Sequence, residues 1–315
     1  MGYLHITNLY KDQTILQFRE AYALEKLHGT SADITFEPLL NTIKYSSGGA
    51  SHVLFKSLFN EPELLQKFRD LNIPIDSSIT VYGEAYGGSQ QGMSPTYGTS
   101  LKFGCFDVQI GNCWLNVEKA DLLVQSLGLE FVPYEKIQLL KIEDGKIVAN
   151  MEELNRVRDQ PSRQAKRNGI VEDKIAEGVV LRPLIEMVLN NGERVICKHK
   201  RDEYRETASP RVVDDPAKLA KLNSAQAIAD EWVTTARFNN MLSHFKTEEL
   251  VLDKIPGHDM TKMRDILKAM EEDVLREGAG EIVLGEDAKV IKHAISSKTA
   301  QMYKDYLKSK LAKVV

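Results

Sequence analysis

Cysteine is scarce in this chain: Cys105, Cys113 and Cys197 are the only three in 315 residues. An odd, sparse and widely spaced set forms neither a disulfide framework nor a zinc pattern. It fits a reducing compartment. Long apolar runs are missing too, so nothing is expected to span a membrane. The opening MGYLHITNLYKDQT lacks a charged segment followed by an apolar stretch, so no signal peptide is expected. Gly2 is followed four places on by Ile6, where myristoylation requires Ser or Thr. Positive charge is not in excess. A formal net charge of −4 excludes a protein that coats nucleic acid by bulk charge, but leaves a local basic groove open. Internal repeats and low-complexity tracts are absent. What remains is ordinary for a soluble globular protein, 43% hydrophobic and 27% charged. The expected location is cytoplasmic, with the nucleus as the other reducing option, and no obligate protein partner is inferred.

The length allows two domains. The first two thirds mix strands with short helices. ADITFEP alternates, as a half-buried strand does. SHVLFKSLF and EPELLQKFRDL place apolar residues three and four apart, as helices do. SSITVYGEAYG reads as a strand running into a glycine turn. LKFGCFDVQIGNCWLN reads as a hairpin turning at Gly111-Asn112, and EGVVLRPLIEMVLNNGERVICKHK as two strands turning at Asn191-Gly192. ADLLVQSLG is a helix stopped by Gly128. From Asp214 the pattern is helical: an Asp215-Pro216 opening, then HDMTKMRDILKAMEEDVLREG, then a lysine-rich last helix. The expected division falls within residues 205–215, giving domains at 1–208 and 209–315. Between Asn155 and Asn168 lies NRVRDQPSRQAKRN, either a solvated loop or a basic strip facing phosphates.

EKLHGTSADITF, residues 25–36, sets one lysine in a polar turn between strand patterns. A lysine becomes nucleophilic when desolvation or a neighbouring cation lowers its pKa. Most lysines are simply solvated, so Lys26 needs support from elsewhere. Attack on a nucleotide α-phosphate calls for cations on phosphate oxygens, a divalent metal, a carboxylate for the metal or the sugar, and an aromatic face for the base. Candidates exist for each. Glu84 follows a strand at the mouth of a glycine turn, or is merely a turn carboxylate. Phe106 and Asp107 lie on a strand, where Phe106 also reads as plain core. Glu177 starts a strand, and Arg182 lies further along it. Lys198 and Lys200 are two apart and share a strand face. Like charges side by side are costly unless an anion lies between them. The alternative is a solvated edge strand that discourages pairing.

In order, Lys26-Leu27-His28-Gly29, Gly83-Glu84, Phe106-Asp107, Glu177-Gly178-Val179-Val180-Leu181-Arg182 and Lys198-His199-Lys200 resemble the motif set of the covalent nucleotidyltransferases, the polynucleotide ligases and RNA capping enzymes. The resemblance covers residues 20–205. Histidine within E-K-x-H-G-T is similar to the nick-sealing, RNA ligase 2-like branch. The resemblance implies an α+β fold: an ATP-grasp-like nucleotidyltransferase domain of antiparallel sheets with flanking helices, then a small all-helical C-terminal domain that binds RNA ends.

It also implies a reaction. Lys26 takes AMP from ATP, passes it to an RNA 5′-phosphate, and the 3′-hydroxyl of a second strand, expected at a nicked duplex, displaces it. Mg2+, or Mn2+ in its place, would be held by Glu177. Glu25 would lie at the adenine edge, Glu84 would accept from the ribose, and Phe106 would stack on the base. Lys198 and Lys200 would neutralise phosphate and help keep the Lys26 amine unprotonated. Arg182 would support the phosphate site or neighbouring carboxylates. His28 and Gly29 complete the turn, His28 either as a phosphate or supporting contact or as a turn hydrogen-bonder. Two departures stand out. Ser31 occupies a place where that branch has Asn, and KYSSGGA carries Lys44 but no arginine. Both positions are associated with RNA ends. The competing readings are a DNA ligase, a capping guanylyltransferase that would form lysine–GMP, and a non-catalytic RNA-end-binding protein. For RNA contact the candidates are the 155–168 strip and Lys298, Lys304, Lys308, Lys310 and Lys313, which read equally as a solvated helix face.

Overall fold

The structure is a computed structural model that describes residues 2–213, 224–243, 245, 262–285 and 287–311. It divides into two compact units, Met1–Arg201 and Asp202–Val315. The Asp215-Pro216 helix opening, the first residues of HDMTKM and Lys313 lie outside the described residues. Among the described residues no helix is long and apolar enough to cross a membrane.

The first unit is α+β. Its strands are β1 (Thr7–Asn8), β2 (Glu20–Glu25), β3 (Thr30–Glu37), β4 (Thr42–Ser47), β5 (Ile79–Gly87), β6 (Leu101–Ile110), β7 (Cys113–Trp114), β8 (Tyr134–Gln138), β9 (Leu140–Glu143), β10 (Lys146–Ala149), β11 (Gly178–Pro183) and β12 (Cys197–Lys200). They form a sheet in the order β1-β12-β11-β2-β8, a second in the order β4-β3-β5-β6-β7, and the separate hairpin β9-β10. All pairs are antiparallel except the two-residue β1, which runs parallel to β12. Helices α1 (His52–Lys56), α2 (Glu61–Asp70), α3 (Ser94–Tyr97), α4 (Val117–Ser126), α5 (Met151–Asp159) and α6 (Arg163–Arg167) flank them.

Period-2 alternation decides the faces of the second sheet. Ala32, Ile34 and Phe36 of β3 are buried with Ile79 and Val81 of β5 and Phe103, Cys105 and Val108 of β6, and Phe55, Phe68 and Val124 of the helices join this core. The opposite face of the sheet carries Ser31, Asp33, Tyr82 and Glu84, in register as Ser31↔Glu84 and Asp33↔Tyr82. Glu84 therefore lies within β5, not in the glycine turn expected for it; the turn comes three residues later, where Gly87 and Gly88 both have positive φ. The Gly111 hairpin forms as read, with Ile110 paired to Cys113. The long segment after β11 returns as β12, with Val188 bridging Arg194 around the Asn191-Gly192 tip. Helix α4 starts earlier than its apolar pattern, because the Asn116 side chain accepts from the Lys119 amide at 3.0 Å, and it ends before Gly128 at φ +75°.

The 155–168 strip is helical, not a loop. α5 ends at Asp159 and α6 starts behind Ser162, whose hydroxyl accepts from the Ala165 amide. The second unit is helical: α7 (Ala225–Trp232), α8 (Thr235–Ser243), α9 (Met263–Glu277) and α10 (Ala288–Leu311) pack Ile228, Trp232, Phe238, Ile266, Met270, Val274, Ile291, Ile295 and Tyr303 into a core of their own.

Gly178 fixes how closely β12 approaches β11. Its φ is +143°, and a Cβ there would collide with the His199 carbonyl and lie 2.8 Å from the Lys200 Cα. Gly178→Ala is expected to destabilise the chain by at least about 1–3 kcal/mol, the usual cost of such strain, measured by urea unfolding.

Candidate active site

β2 ends at Glu25 and β3 begins at Thr30, so the polar turn that carries Lys26 leaves one sheet and enters the other. The turn is tied at both ends. The Lys26 amide donates to the Gly178 carbonyl at 2.9 Å, and the Gly29 amide donates to Glu84 Oε1 at 3.1 Å. Gly29 is required there because a Cβ would collide with the Ala85 carbonyl oxygen.

Glu177 organises the group. Its Oε2 lies 2.9 Å from Lys26 Nζ and 3.0 Å from His28 Nδ1, and its Oε1 lies 3.0 Å from Lys200 Nζ. Burial alone would raise this carboxyl; Lys26 and Lys200, with His28, overcome that and hold it well below the usual range. Its side chain is 2% exposed, whereas Lys26 keeps 25%, so the amine retains access to solvent and to a ligand. Lys26 and Lys200 thus do not meet as two bare cations: a carboxylate stands between them. Lys198 and Lys200 share one half-buried strand face, while Cys197 and His199 turn inward. Burial, aided by Arg158, pushes His199 down to about 4, so it stays neutral.

Glu84 faces the same group from the other sheet. Burial raises it to about 7, Lys26 pulls it down, and Glu177 adds to the rise. Phe106 owes its position to a backbone irregularity. Tyr82 pairs with Asp107 but Gly83 pairs with Cys105, which leaves Phe106 as the extra residue of a β-bulge in β6. Bulges re-aim side chains and are common beside active sites. The next residue, Asp107, is fully buried and joins the two sheets: Oδ1 lies 2.9 Å from Arg182 of β11, and Oδ2 lies 2.6 Å from Arg194 and 2.6 Å from the Tyr3 hydroxyl. Glu186 binds both arginines as well, so two carboxylates balance two guanidiniums.

Two residues are held in networks within the chain. Arg182 is 1% exposed, and its contacts are Asp107, Glu186 and the carbonyls of Phe106 and Leu115. Of the two roles implied for it, these contacts are those of a support for neighbouring carboxylates. The Glu25 carboxylate accepts from the Ser162 hydroxyl and from the Arg163 and Gln164 amides, at the start of α6. It therefore ties the end of β2, and with it Lys26, to α6. The basic strip is neutralised: Arg156 pairs with Glu153 and Glu135, Arg158 with Asp159, Lys166 with Asp173, and Arg167 with Glu130.

Sequence reasoning missed Ser162, Arg194, Glu186 and Tyr3. Ser162 carried a signal, a hydroxyl residue immediately before a helical stretch. Glu186 carried another, a lone carboxylate inside the apolar run PLIEMVL. Arg194 and Tyr3 carried none.

Among the described residues no cluster of three or more His, Cys, Asp or Glu forms a metal site. A dedicated cage therefore does not fit. A Mg2+ ion that arrives with a triphosphate does fit, because it takes one or two carboxylates and completes its shell with phosphates and water. Glu177, held ionised, is a carboxylate that would hold it.

The family model for RNA ligase matches residues 19–200, more than half of the chain. The protein belongs to the RNA ligase family. Comparison with curated proteins gives no match. Among solved structures, the chain is similar to an apo variant of the Naegleria gruberi RNA ligase (16% identity over 65% of this chain and 57% of that one, TM-score 0.48). It is similar to a second variant of that ligase with ATP and Mn (16%, 65% and 56%, TM-score 0.47). It is also similar to the Naegleria gruberi RNA ligase with PPi (15%, 65% and 57%, TM-score 0.47). The matches span less than two thirds of the length of those ligases.

Two outcomes are expected. A carboxyl raised above its usual value favours the folded state fully below about pH 4.5 and loses that contribution as the pH rises through about 7. Glu84→Gln removes this titration, so its melting temperature relative to the parent should climb between pH 5 and pH 8, read by thermal scans at each pH. Asp107→Ala leaves two buried arginines sharing Glu186 alone, and should cost about 3–5 kcal/mol in urea unfolding.

Proposed function

We propose that this chain is an ATP-dependent RNA ligase whose nucleophile is Lys26. The observation that carries the reading is the shared Glu177 carboxylate, which gathers Lys26 and His28 of one turn and Lys200 of β12 beside Glu84. Membership of the RNA ligase family supports it.

The Lys26 amine attacks the α-phosphorus of ATP, the bond to pyrophosphate breaks, and a lysine–AMP phosphoramidate forms as the amine gives up its proton. A 5′-phosphate oxygen of RNA then attacks the same phosphorus and frees the lysine. A 3′-hydroxyl finally attacks the adenylylated 5′-phosphate, AMP leaves, and a phosphodiester closes. Splitting one condensation in this way gives each step a good leaving group. Attack requires a free lone pair on Nζ, so Lys26 must first lose its proton, and the neutral amine can still donate to Glu177. Lys198 and Lys200 neutralise phosphate charge on their strand face. Glu84 accepts from the ribose, which requires its ionised form, and Phe106 stacks on adenine from the bulge. Glu25 acts through α6, fixing the turn that carries Lys26. A divalent cation at Glu177 would neutralise the departing pyrophosphate.

The acceptor is a pair of RNA ends, a 5′-phosphate and a 3′-hydroxyl, in a nicked duplex as in the RNA ligase 2-like branch. The helical unit is assigned to RNA-end binding, although several of its named lysines are engaged within it: Lys298 with Asp230, Lys308 with Asp305, and Lys310 over the Tyr306 ring.

Incubation with α-labelled ATP and Mg2+ should place label on Lys26. Lys26→Ala should carry none while still folding, as a cooperative thermal transition would show. Label retained by Lys26→Ala, or label obtained only from GTP, would overturn the assignment. An unlabelled parent is checked by mass spectrometry for AMP already attached.

A further inference from the structure

Tyr3 has no place in the reaction described above, yet it is packed into that reaction's machinery. Its ring meets Phe106 edge-on at 4.8 Å and 73°, lies 5.1 Å from Tyr82 and 5.8 Å from Trp114. Its hydroxyl donates to Asp107, and Arg194 donates to it at 3.2 Å. The segment that follows is fixed a few residues later: Thr7 and Asn8 pair with Cys197 and Lys198, and the Leu9 amide donates to the Lys198 carbonyl at 2.8 Å. The chain from Tyr3 to Leu9 therefore connects the Phe106 bulge with the strand that carries Lys198 and Lys200.

A bulged residue lacks the ladder pairing that fixes its neighbours. Phe106 is such a residue, and it is only partly buried. Its ring needs another constraint to present one face to a base. An edge-on aromatic neighbour supplies one, because the positive rim of one ring prefers the face of another at this separation.

We propose that Tyr3 is a positioning residue for nucleotide recognition, its ring setting the orientation in which Phe106 stacks on the base. This rests on the assignment of Phe106 to the adenine. The ring, not the hydroxyl, carries the effect; the hydroxyl belongs to the Asp107 ion-pair cluster.

The test measures binding of ATP and of inorganic tripolyphosphate, which has no base, by calorimetry in the full chain carrying Lys26→Ala, so that no turnover occurs. Tyr3→Ala should weaken ATP binding roughly 3- to 10-fold, the scale of one aromatic pair, and leave tripolyphosphate binding unchanged. Tyr3→Phe should bind ATP as the parent does. Tyr3→Ala should add little to Phe106→Ala, since both remove the same stacked ring geometry. Unchanged ATP affinity in Tyr3→Ala, equal losses for ATP and tripolyphosphate, or full additivity with Phe106→Ala would each overturn the proposal. So would a loss in Tyr3→Phe equal to that in Tyr3→Ala. The labelling of Lys26 stands apart. Labelling without a Tyr3 effect on ATP removes this proposal and keeps the ligase reading, and the converse result does the reverse.

Discussion

Everything at the candidate site depends on one buried carboxylate. Without Glu177, Lys26, His28 and Lys200 would bring two or three cations together with no counter-charge. Isolating any of them from water is costly. With it, two segments far apart in sequence, the turn of Lys26 and His28 and the strand of Lys200, are held within 3.0 Å of one side chain. Glu177 in turn depends on Gly178, whose backbone lets β12 come close enough for Lys200 to reach across. The Gly29 turn plays the equivalent part on the opposite side, delivering an amide to Glu84. The site therefore lies where two sheets are joined by short, sterically restricted turns. The Asp107 cluster is a second junction between the same sheets.

Much of this was legible in the residues. The strand period alone put Lys198 and Lys200 on one face, and the alternation of ADITF gave β3 its inner and outer sides. The turn chemistry of Gly111-Asn112, Asn191-Gly192 and Gly128 marked real reversals or ends. What was not legible came from partners distant in the chain. Nothing local to Glu25 announces a helix start at residues 162–164, more than 130 positions away. Nothing local to Arg194 announces Asp107. The bulge at Phe106 is a mismatch of register between two strands, so it has no compositional mark in either. The ion pairs of the basic strip at 155–168 were hidden for the same reason: its carboxylate partners include Glu135 and Glu130, which lie on or near another strand.

The shared carboxylate also bears on ligand binding. A site whose cations already hold an internal counter-ion does not have to draw one from solution when it is empty. Binding a triphosphate then exchanges one anionic partner for another, and the net change in buried charge is smaller than the number of lysines suggests.

The bulge has a further consequence, through parity. Along β6 each residue's side is fixed by counting from Gly104, and Phe106 is the one place where the count slips. Cys105 opposes Gly83 and Asp107 opposes Tyr82, so the ladder on either side of Phe106 is already in step. Deleting Phe106 would restore an unbroken ladder and leave every other side chain of β6 on its present face, with Asp107 still toward the arginines and Val108 still in the apolar core. The bulge is thus an insertion that adds one ring without disturbing its neighbours, and its loss would tell on the site far more than on the fold.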